Sequence, residues 1–242
     1  MQIAVVDDLE PDRSELCGLL TRYFTQRCLQ AELCTFSSAE ALLAVPEPEQ
    51  FSIIFLDIYM AHISGMEAAR VLQEKAPSCR IIFCTTSHEH AVESYTVHAA
   101  YYLTKPLDYS RLCLALDASC AGLLEDSLYI TVHLQNVEAR VLLRDILFAD
   151  CSRERTRLHL PDRLLLPDER VSDVLGALNS DGRFLQCNRN IVVNMNWVAK
   201  VLDGDFLLKN GETVPIRQRG RSIVKKDYLA YSLKSLRKGT RV

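Results

Sequence analysis

The stretch "SIIFLDIYM", residues 52–60, places a carboxylate, Asp57, at the end of a nearly continuous apolar run. Apolar residues that do not alternate with polar ones are typical of a strand buried on both faces, as in a parallel sheet covered by helices. The acid therefore raises the question of what the end of this strand faces.

Outward from this stretch, apolar runs alternate with segments of helical spacing over the first half of the chain. The predicted strands are 2–7, 31–36, 51–57, 80–86 and 99–105, and the predicted helices are 11–24, 37–45, 65–75, 89–97 and 108–124. Five strand–helix units in this order predict an α/β fold with a five-stranded, doubly wound parallel sheet. Such sheets bind ligands outside the carboxyl ends of their strands.

The second half predicts a different, β-rich architecture with helices at its margins. Short β-like segments recur from residue 127 onward, and Asp203-Gly204 and Asn210-Gly211 are typical of hairpin turns. Helices are predicted at 169–179 and over a basic tail at 218–238. The change of pattern predicts a first domain at 1–122, a linker at 123–128 and a second domain at 129–240.

Charge is divided between the same two halves. Residues 1–124 hold 16 acidic and 8 basic side chains, whereas residues 125–242 hold 15 acidic and 20 basic ones, although the net charge of the whole chain is only −3. The basic half is therefore suited to face a polyanion.

Composition also predicts a location. No apolar window is long enough to span a membrane, and the N-terminus "MQIAVVDD" lacks the basic region of a secretory signal. Nine scattered cysteines without a CxxC pair are typical of reduced core residues. We therefore expect a cytoplasmic protein with no membrane association.

Polar residues follow four of the predicted strands of the first half. Asp7 and Asp8 follow the first strand and Asp57 the third, while Thr85 and Lys105 end the fourth and fifth. Each has an ordinary structural alternative as a turn, cap or strand residue, but together they would converge at one edge of the sheet. Three carboxylates there favour a bound Mg²⁺, and the lysine and hydroxyl would complete a phosphoryl site in which Asp57 is the nucleophile.

These residues resemble the receiver domain of bacterial response regulators. The matching motifs are "VVDD" (5–8), "FLDIYM" (55–60), Gly65, "CTT" (84–86) and "YLTKP" (102–106). The resemblance implies the following roles: Mg²⁺ ligands Asp7, Asp8 and Asp57; phosphoryl acceptor Asp57; phosphate-binding Lys105; and switch residues Thr85 and Tyr102. The chain departs from many receivers at Ala61 and Thr86, and the bulky Tyr59 lies two residues after the acceptor. Thr86 and Tyr59 are expected to limit access of water to the acyl phosphate and thereby to change its lifetime.

The second half resembles a LytTR-type DNA-binding domain. The resemblance is carried by "DILFADCSRERTRLHL" (145–160), "FLQCNRNIVVNMNWVAKV" (184–201) and "LLKNGETVPIRQRGRSIVKK" (207–226). It implies a ten-stranded β fold whose loops enter successive major grooves of direct repeats. The implied DNA-contacting loops are 152–157, 188–190 and 217–221, and the candidate contacts in them are Arg153, Arg155, Arg189, Arg217, Gln218, Arg219 and Arg221.

Together the two resemblances imply a two-component transcription factor and not an enzyme. A sensor histidine kinase would phosphorylate Asp57, a homodimer would form, and promoter DNA with direct repeats would be bound. An alternative is an aspartyl-phosphate hydrolase of the haloacid type, but that family expects an Asp-x-Asp motif and Ile58 and Tyr59 follow Asp57. A further alternative is a scaffold whose receiver binds partners without phosphorylation.

Overall fold

A computed structural model describes residues 1–87, 96–152 and 155–239, with the side chains of 236–239 not described. The chain forms two compact units, Met1–Leu128 and Tyr129–Val242. The helix predicted at 89–97 falls almost wholly outside the described residues. In the part of the chain that is described, no helix is both long enough and apolar enough to cross a bilayer.

The first unit is built on a five-stranded parallel sheet, which confirms the predicted α/β architecture. Its strands lie in the order β2-β1-β3-β4-β5, and every neighbouring pair is parallel. Their bounds are β1 Gln2–Val6, β2 Glu32–Phe36, β3 Phe51–Leu56, β4 Arg80–Thr85 and β5 Tyr101–Thr104. The order reverses between β1 and β3, and a crevice for ligands is expected beyond the carboxyl ends of these two strands.

Helices cover both faces of this sheet. Those within the described residues are α1 Glu10–Gln26, α2 Ala39–Leu43, α3 Gly65–Lys75, α4 Tyr109–Ser119 and α5 Ala121–Glu125. Alternate residues of β1 enter two separate cores: Ile3 packs with residues of α1 and α4, and Ala4 packs with residues of α2 and α3. The strands lack polar alternation because both faces are buried.

Residues 123–128, predicted as a linker, belong to the first unit in this structure. Leu124 of α5 is buried in the core that contains α1 and α4. The chain then returns to the start of β2, where Gln30 N donates to Ser127 O at 2.8 Å and Leu128 forms a β-bridge with Leu29. These bonds tie the segment to the edge of the sheet.

The second unit contains ten strands among its described residues, which fits the predicted β-rich fold. A five-stranded antiparallel sheet has the order β10-β9-β8-β12-β11, and β13-β14-β15 and β6-β7 form two smaller sheets. The bounds are β6 Tyr129–Leu134, β7 Val137–Leu142, β8 Phe148–Ser152, β9 Arg155–His159, β10 Leu164–Leu165, β11 Phe184–Asn188, β12 Ile191–Asn194, β13 Val198–Val201, β14 Asp205–Leu208 and β15 Thr213–Pro215.

Two helices, α6 Val171–Asn179 and α7 Arg221–Gly239, lie at the margins of the second unit, close to the predicted ranges. Val224 of α7 packs on Phe206 and Val214 of the three-stranded sheet, in a core that also includes Val193 of the larger sheet. The fully buried Asn194 donates from Nδ2 to the carbonyl oxygens of Leu143 and Ile146 at 3.1 and 2.9 Å. It thereby fixes the turn that precedes β8, a structural role.

Candidate metal centre and candidate nucleic-acid interface

Three carboxylates of the first unit meet at the switch point of the sheet. One side-chain oxygen from each of Asp7, Asp8 and Asp57 lies within 4.8 Å of the others. Asp7 and Asp57 are buried, each only 5% exposed, whereas Asp8 is exposed. Oxygen ligands in a partly open cluster suit Mg²⁺, which binds a few carboxylates and keeps several waters. The residues present therefore fit this ion.

Lys105 places its ammonium beside the same carboxylates. Its Nζ lies 2.6 Å from Asp7 Oδ2 and 3.2 Å from Asp57 Oδ2. A third partner was not predicted from the sequence: Asp12 Oδ2, in the first turn of α1, also lies 2.6 Å from Nζ. No strand-end rule identifies Asp12, because it belongs to a helix. Its proximity to Lys105 depends on the start of α1 at Glu10, two residues after Asp8.

The pKa values reflect this arrangement. Burial raises the pKa of the Asp57 carboxyl, and the charge of Lys105 only partly opposes that effect. Burial alone would lower the pKa of Lys105, but hydrogen bonds to Asp12 and Asp7 and the charge of Asp57 hold it above its ordinary value. Lys105 therefore remains an ammonium at neutral pH and is a fixed positive charge in the pocket.

The backbone around Asp57 fixes its orientation. Asp57 Oδ1 accepts hydrogen bonds from the backbone N–H groups of Ile58 and Tyr59, at 2.7 and 3.3 Å. Helix α3 begins against this turn at Gly65, where an added Cβ would lie 2.0 Å from the Asp57 carbonyl oxygen. A glycine is needed at this position because the helix start and the acid-bearing turn are in direct backbone contact.

Ser64 caps α3 and closes the loop that follows Asp57. The Ser64 hydroxyl accepts from Glu67 N at 3.3 Å, and Glu67 Oε2 accepts from Ser64 N at 2.9 Å. This reciprocal capping box satisfies two backbone donors at the start of the helix. It holds Gly65 in register against Asp57.

Thr85 and Tyr102, the predicted switch pair, lie on neighbouring strands. Thr85 is fully buried at the end of β4, and its Oγ1 has no hydrogen-bond partner among the described residues. The half-buried Tyr102 directs its hydroxyl to the Ser87 carbonyl and packs its ring near Phe83. An unsatisfied buried hydroxyl is uncommon and requires an explanation.

In the second unit, strand pairing brings the predicted DNA-contacting loops to one end of the larger sheet. Ile191 at the start of β12 pairs with Asp150 near the end of β8, so the last pair of the β8–β9 ladder, Ser152 with Arg155, lies beside the β11–β12 turn. The third loop joins them because Arg217 N donates to Cys187 O at 2.9 Å. We call this end of the second unit, formed by 152, 155, 188–190 and 217–219, the arginine end.

The candidate DNA contacts differ in exposure. Those that are exposed and make no ion pair within the described residues are Arg155, Arg189, Arg217 and Arg219; Gln218 is exposed as well. Arg221 is half-buried, with Nη1 4.0 Å from Asp203 Oδ1. Arg153 lies outside the described residues.

Arg157, in the same predicted loop as Arg155, has a structural partner. It forms two hydrogen bonds with Asp150, at 2.7 and 2.5 Å, directly across the β8–β9 pair. Because side chains alternate along a strand, Arg155 and Arg157 lie on the same face of β9. They differ in their partners across the hairpin, since Arg157 is opposite Asp150 and Arg155 is opposite Ser152. The sequence does not show this difference, since the register of the hairpin is set by the fold.

Family models match both halves of the chain. The response regulator receiver domain matches residues 3–117, and the LytTr DNA-binding domain matches residues 138–227. An uncharacterized response regulatory protein of Yersinia pestis is 27% identical over 90% of this chain and 94% of its own length.

A second relative and one solved structure are also similar. The transcriptional regulatory protein BtsR of Escherichia coli is 27% identical over 90% of this chain and 95% of its own length. The response regulatory domain of mrkE from Klebsiella pneumoniae is 27% identical, with a TM-score of 0.45 over 50% of this chain and 97% of that one. The two matched domains account for most of the sequence, and the chain therefore belongs to the two-component response regulators that act as transcription factors and join a receiver domain to a LytTR DNA-binding domain.

Proposed function

We propose that Asp57 accepts a phosphoryl group from a sensor histidine kinase and that this modification controls binding of promoter DNA by the second unit. The observation that carries the proposal is the convergence of Asp7, Asp8, Asp57 and Lys105 at one sheet edge. The proposed domains are a receiver at 1–122 and a LytTR domain at 129–240, joined by the proposed linker 123–128, which packs against the first unit.

The chemistry is an in-line transfer to a carboxylate. An Asp57 oxygen attacks phosphorus, a P–O bond forms, and the P–N bond to the kinase histidine breaks. Hydrogen bonds from the backbone N–H groups of Ile58 and Tyr59 to Oδ1 fix the orientation of the Asp57 carboxylate. Lys105, fixed in the pocket, compensates negative charge on the transferred group. Mg²⁺, held by Asp7, Asp8 and Asp57, would supply further charge neutralisation when bound.

The switch is proposed to start at Thr85. Its buried hydroxyl lacks a partner in the described part of the chain, and a phosphoryl oxygen on Asp57 would provide an acceptor. Movement of Thr85 toward that group would leave space for the ring of Tyr102, which would then give up its bond to the Ser87 carbonyl.

DNA binding is proposed for the arginine end. The residues proposed to contact phosphates and base edges are Arg155, Arg189, Arg217, Gln218 and Arg219, and their exposure supports the proposal. Arg153 is proposed as a further DNA contact. Arg221, which lies near Asp203, is proposed to contact the phosphate backbone of the DNA. A phosphorylated homodimer would place two such ends on direct repeats. The role proposed is regulatory and not enzymatic, which agrees with the absence of a second acid at Tyr59.

Acetyl phosphate with Mg²⁺ tests the acceptor assignment. We expect the intact mass of the protein to increase by one phosphoryl group, and Asp57→Ala to abolish the gain. Asp126→Ala, which removes an exposed aspartate of the same unit, should be phosphorylated normally. An Asp57→Ala protein that folds, as judged by circular dichroism, and still gains the phosphate would disprove the assignment.

A further inference from the structure

Asp12 has no role in the proposed transfer, yet it forms one of the shortest ion pairs of the pocket. Lys105 Nζ lies 2.6 Å from Asp12 Oδ2 and 2.6 Å from Asp7 Oδ2, but 3.2 Å from Asp57 Oδ2. The side chain of Lys105 is only 10% exposed. The ammonium is therefore drawn toward two carboxylates that do not accept the phosphoryl group.

Asp12 is not one of the clustered carboxylates. The group whose oxygens all lie within 4.8 Å of one another consists of Asp7, Asp8 and Asp57, in the described part of the chain. Asp12 instead lies in the first turn of α1, where a carboxylate interacts favourably with the N-terminal end of the helix. Its contact with the pocket is made through Lys105.

The neighbouring arginine does not compensate Asp12. Arg13 pairs with Glu10 and donates to the Asp7 carbonyl oxygen, so its guanidinium is engaged elsewhere. Among the described residues, Lys105 is the cation that pairs with Asp12. The side chain of Asp12 is 29% exposed, so water can solvate it if the lysine leaves.

We propose that Asp12 is a positioning residue that binds the Lys105 ammonium more closely than Asp57 does in the resting protein and competes with the phosphoryl group for it. This proposal rests on the proposed phosphorylation of Asp57. A dianionic group on Asp57 attracts the ammonium more strongly than the carboxylate alone, and Lys105 then exchanges Asp12 for a phosphoryl oxygen. Asp12 thus sets how strongly the pocket favours the phosphorylated state.

The test is equilibrium binding of beryllofluoride, a phosphoryl mimic, to the full chain at saturating Mg²⁺. Protein-bound fluoride is measured by fluorine NMR. Asp12→Asn should bind about fivefold more tightly than the wild type, because Lys105 no longer has to leave an ion pair. Asp12→Glu keeps the carboxylate and should return the affinity close to the wild-type value. Asp12→Ser provides the same readout as Asp12→Asn should the latter fold poorly.

Glu15→Gln is the matched control. Glu15 lies one turn after Asp12, lines the same cleft as Asp12 and Lys105, and makes no ion pair with Lys105. The Glu15→Gln substitution removes the same charge as Asp12→Asn. An equal gain in beryllofluoride affinity would therefore show a general electrostatic effect and overturn the role of Asp12. Unchanged or weaker binding by Asp12→Asn would overturn it as well.

The two proposals fail in distinguishable ways. If the wild type does not bind beryllofluoride, or if Asp57→Ala binds it equally well, then the phosphorylation of Asp57 is wrong. If the wild type binds, Asp57→Ala does not, and Asp12→Asn matches the wild type, then only the positioning role of Asp12 is wrong.

Discussion

The acid pocket of the first unit, formed by Asp7, Asp8, Asp57 and Lys105, and the arginine end of the second unit differ in how their charges are compensated. In the acid pocket, the buried Asp7 and Asp57 share Lys105, and each also accepts a hydrogen bond from a backbone N–H, Asp7 from Leu9 and Asp57 from Ile58. At the arginine end, Arg155, Arg189 and Arg219 are exposed and make no ion pair within the described part of the chain. The acid pocket compensates part of its charge internally, and the arginine end presents its charge to solvent.

The difference shows how burial determines whether a substitution at a charged site affects folding or only binding. A buried carboxylate is strongly penalised unless its partners are placed within hydrogen-bond distance, so the backbone around it must be fixed closely. An exposed guanidinium is solvated and requires no partner in the free protein. We therefore expect changes near the acid pocket to affect folding, and changes at the arginine end to affect binding alone.

The largest effect on stability is expected from a substitution at Gly65, where the start of α3 touches the backbone of Asp57. Gly65→Ala would place a Cβ 2.0 Å from the Asp57 carbonyl oxygen. Because the obstacle is backbone, the loop that carries Asp57 has to move, and we expect the free energy of unfolding to fall by roughly 3 kcal/mol. Calorimetry of the full chain measures this loss, and phosphorylation by acetyl phosphate should fall with it.

Gly176→Ala in the second unit is the corresponding control. Gly176 is exposed within α6, and no atom lies within 4 Å of the added Cβ. Alanine is favoured over glycine in a helix interior, so stability should increase by about 1 kcal/mol. Equal losses at the two glycines would contradict the claim that the acid pocket is the more constrained region.

The same contrast explains what could be predicted from the sequence. The convergence of Asp7, Asp57 and Lys105 follows from strand order, because parallel strands present their carboxyl ends at one edge. Asp12 could not be found in this way, since its place depends on the packing of a helix. Arg155 and Arg157 could not be distinguished either, because the acid opposite Arg157 is identified by the register of β8 and β9.

An intermediate effect is expected for DNA affinity at the arginine end. Arg189→Ala should weaken binding to a specific operator by about 2 kcal/mol if the guanidinium reads a base edge. Nonspecific binding should weaken less, and the unfolding free energy should not change because Arg189 is exposed. Fluorescence anisotropy with specific and random duplexes at one salt concentration measures both affinities.

Arg163→Ala provides the matched control for charge. Arg163 is exposed in the turn between β9 and β10, at the opposite end of the same sheet. Its removal lowers the positive charge of the unit by the same amount and should leave specific affinity nearly unchanged. If Arg163 and Arg189 contribute equally, then the binding is a general attraction and the arginine end has no special role.

The smallest effect tests the comparison within one strand. Arg157→Ala breaks the two-bonded pair with Asp150, whose side chain is only 13% exposed, and should lower the unfolding free energy by about 1 kcal/mol. Arg155→Ala should leave stability unchanged and weaken DNA binding, because Arg155 is exposed. The single tryptophan, Trp197, lies in the second unit and reports its urea unfolding by fluorescence. The opposite pattern, in which Arg155 supports the fold and Arg157 is dispensable, would contradict the register of β8 and β9 and would show that exposure does not separate binding arginines from structural ones in this sheet.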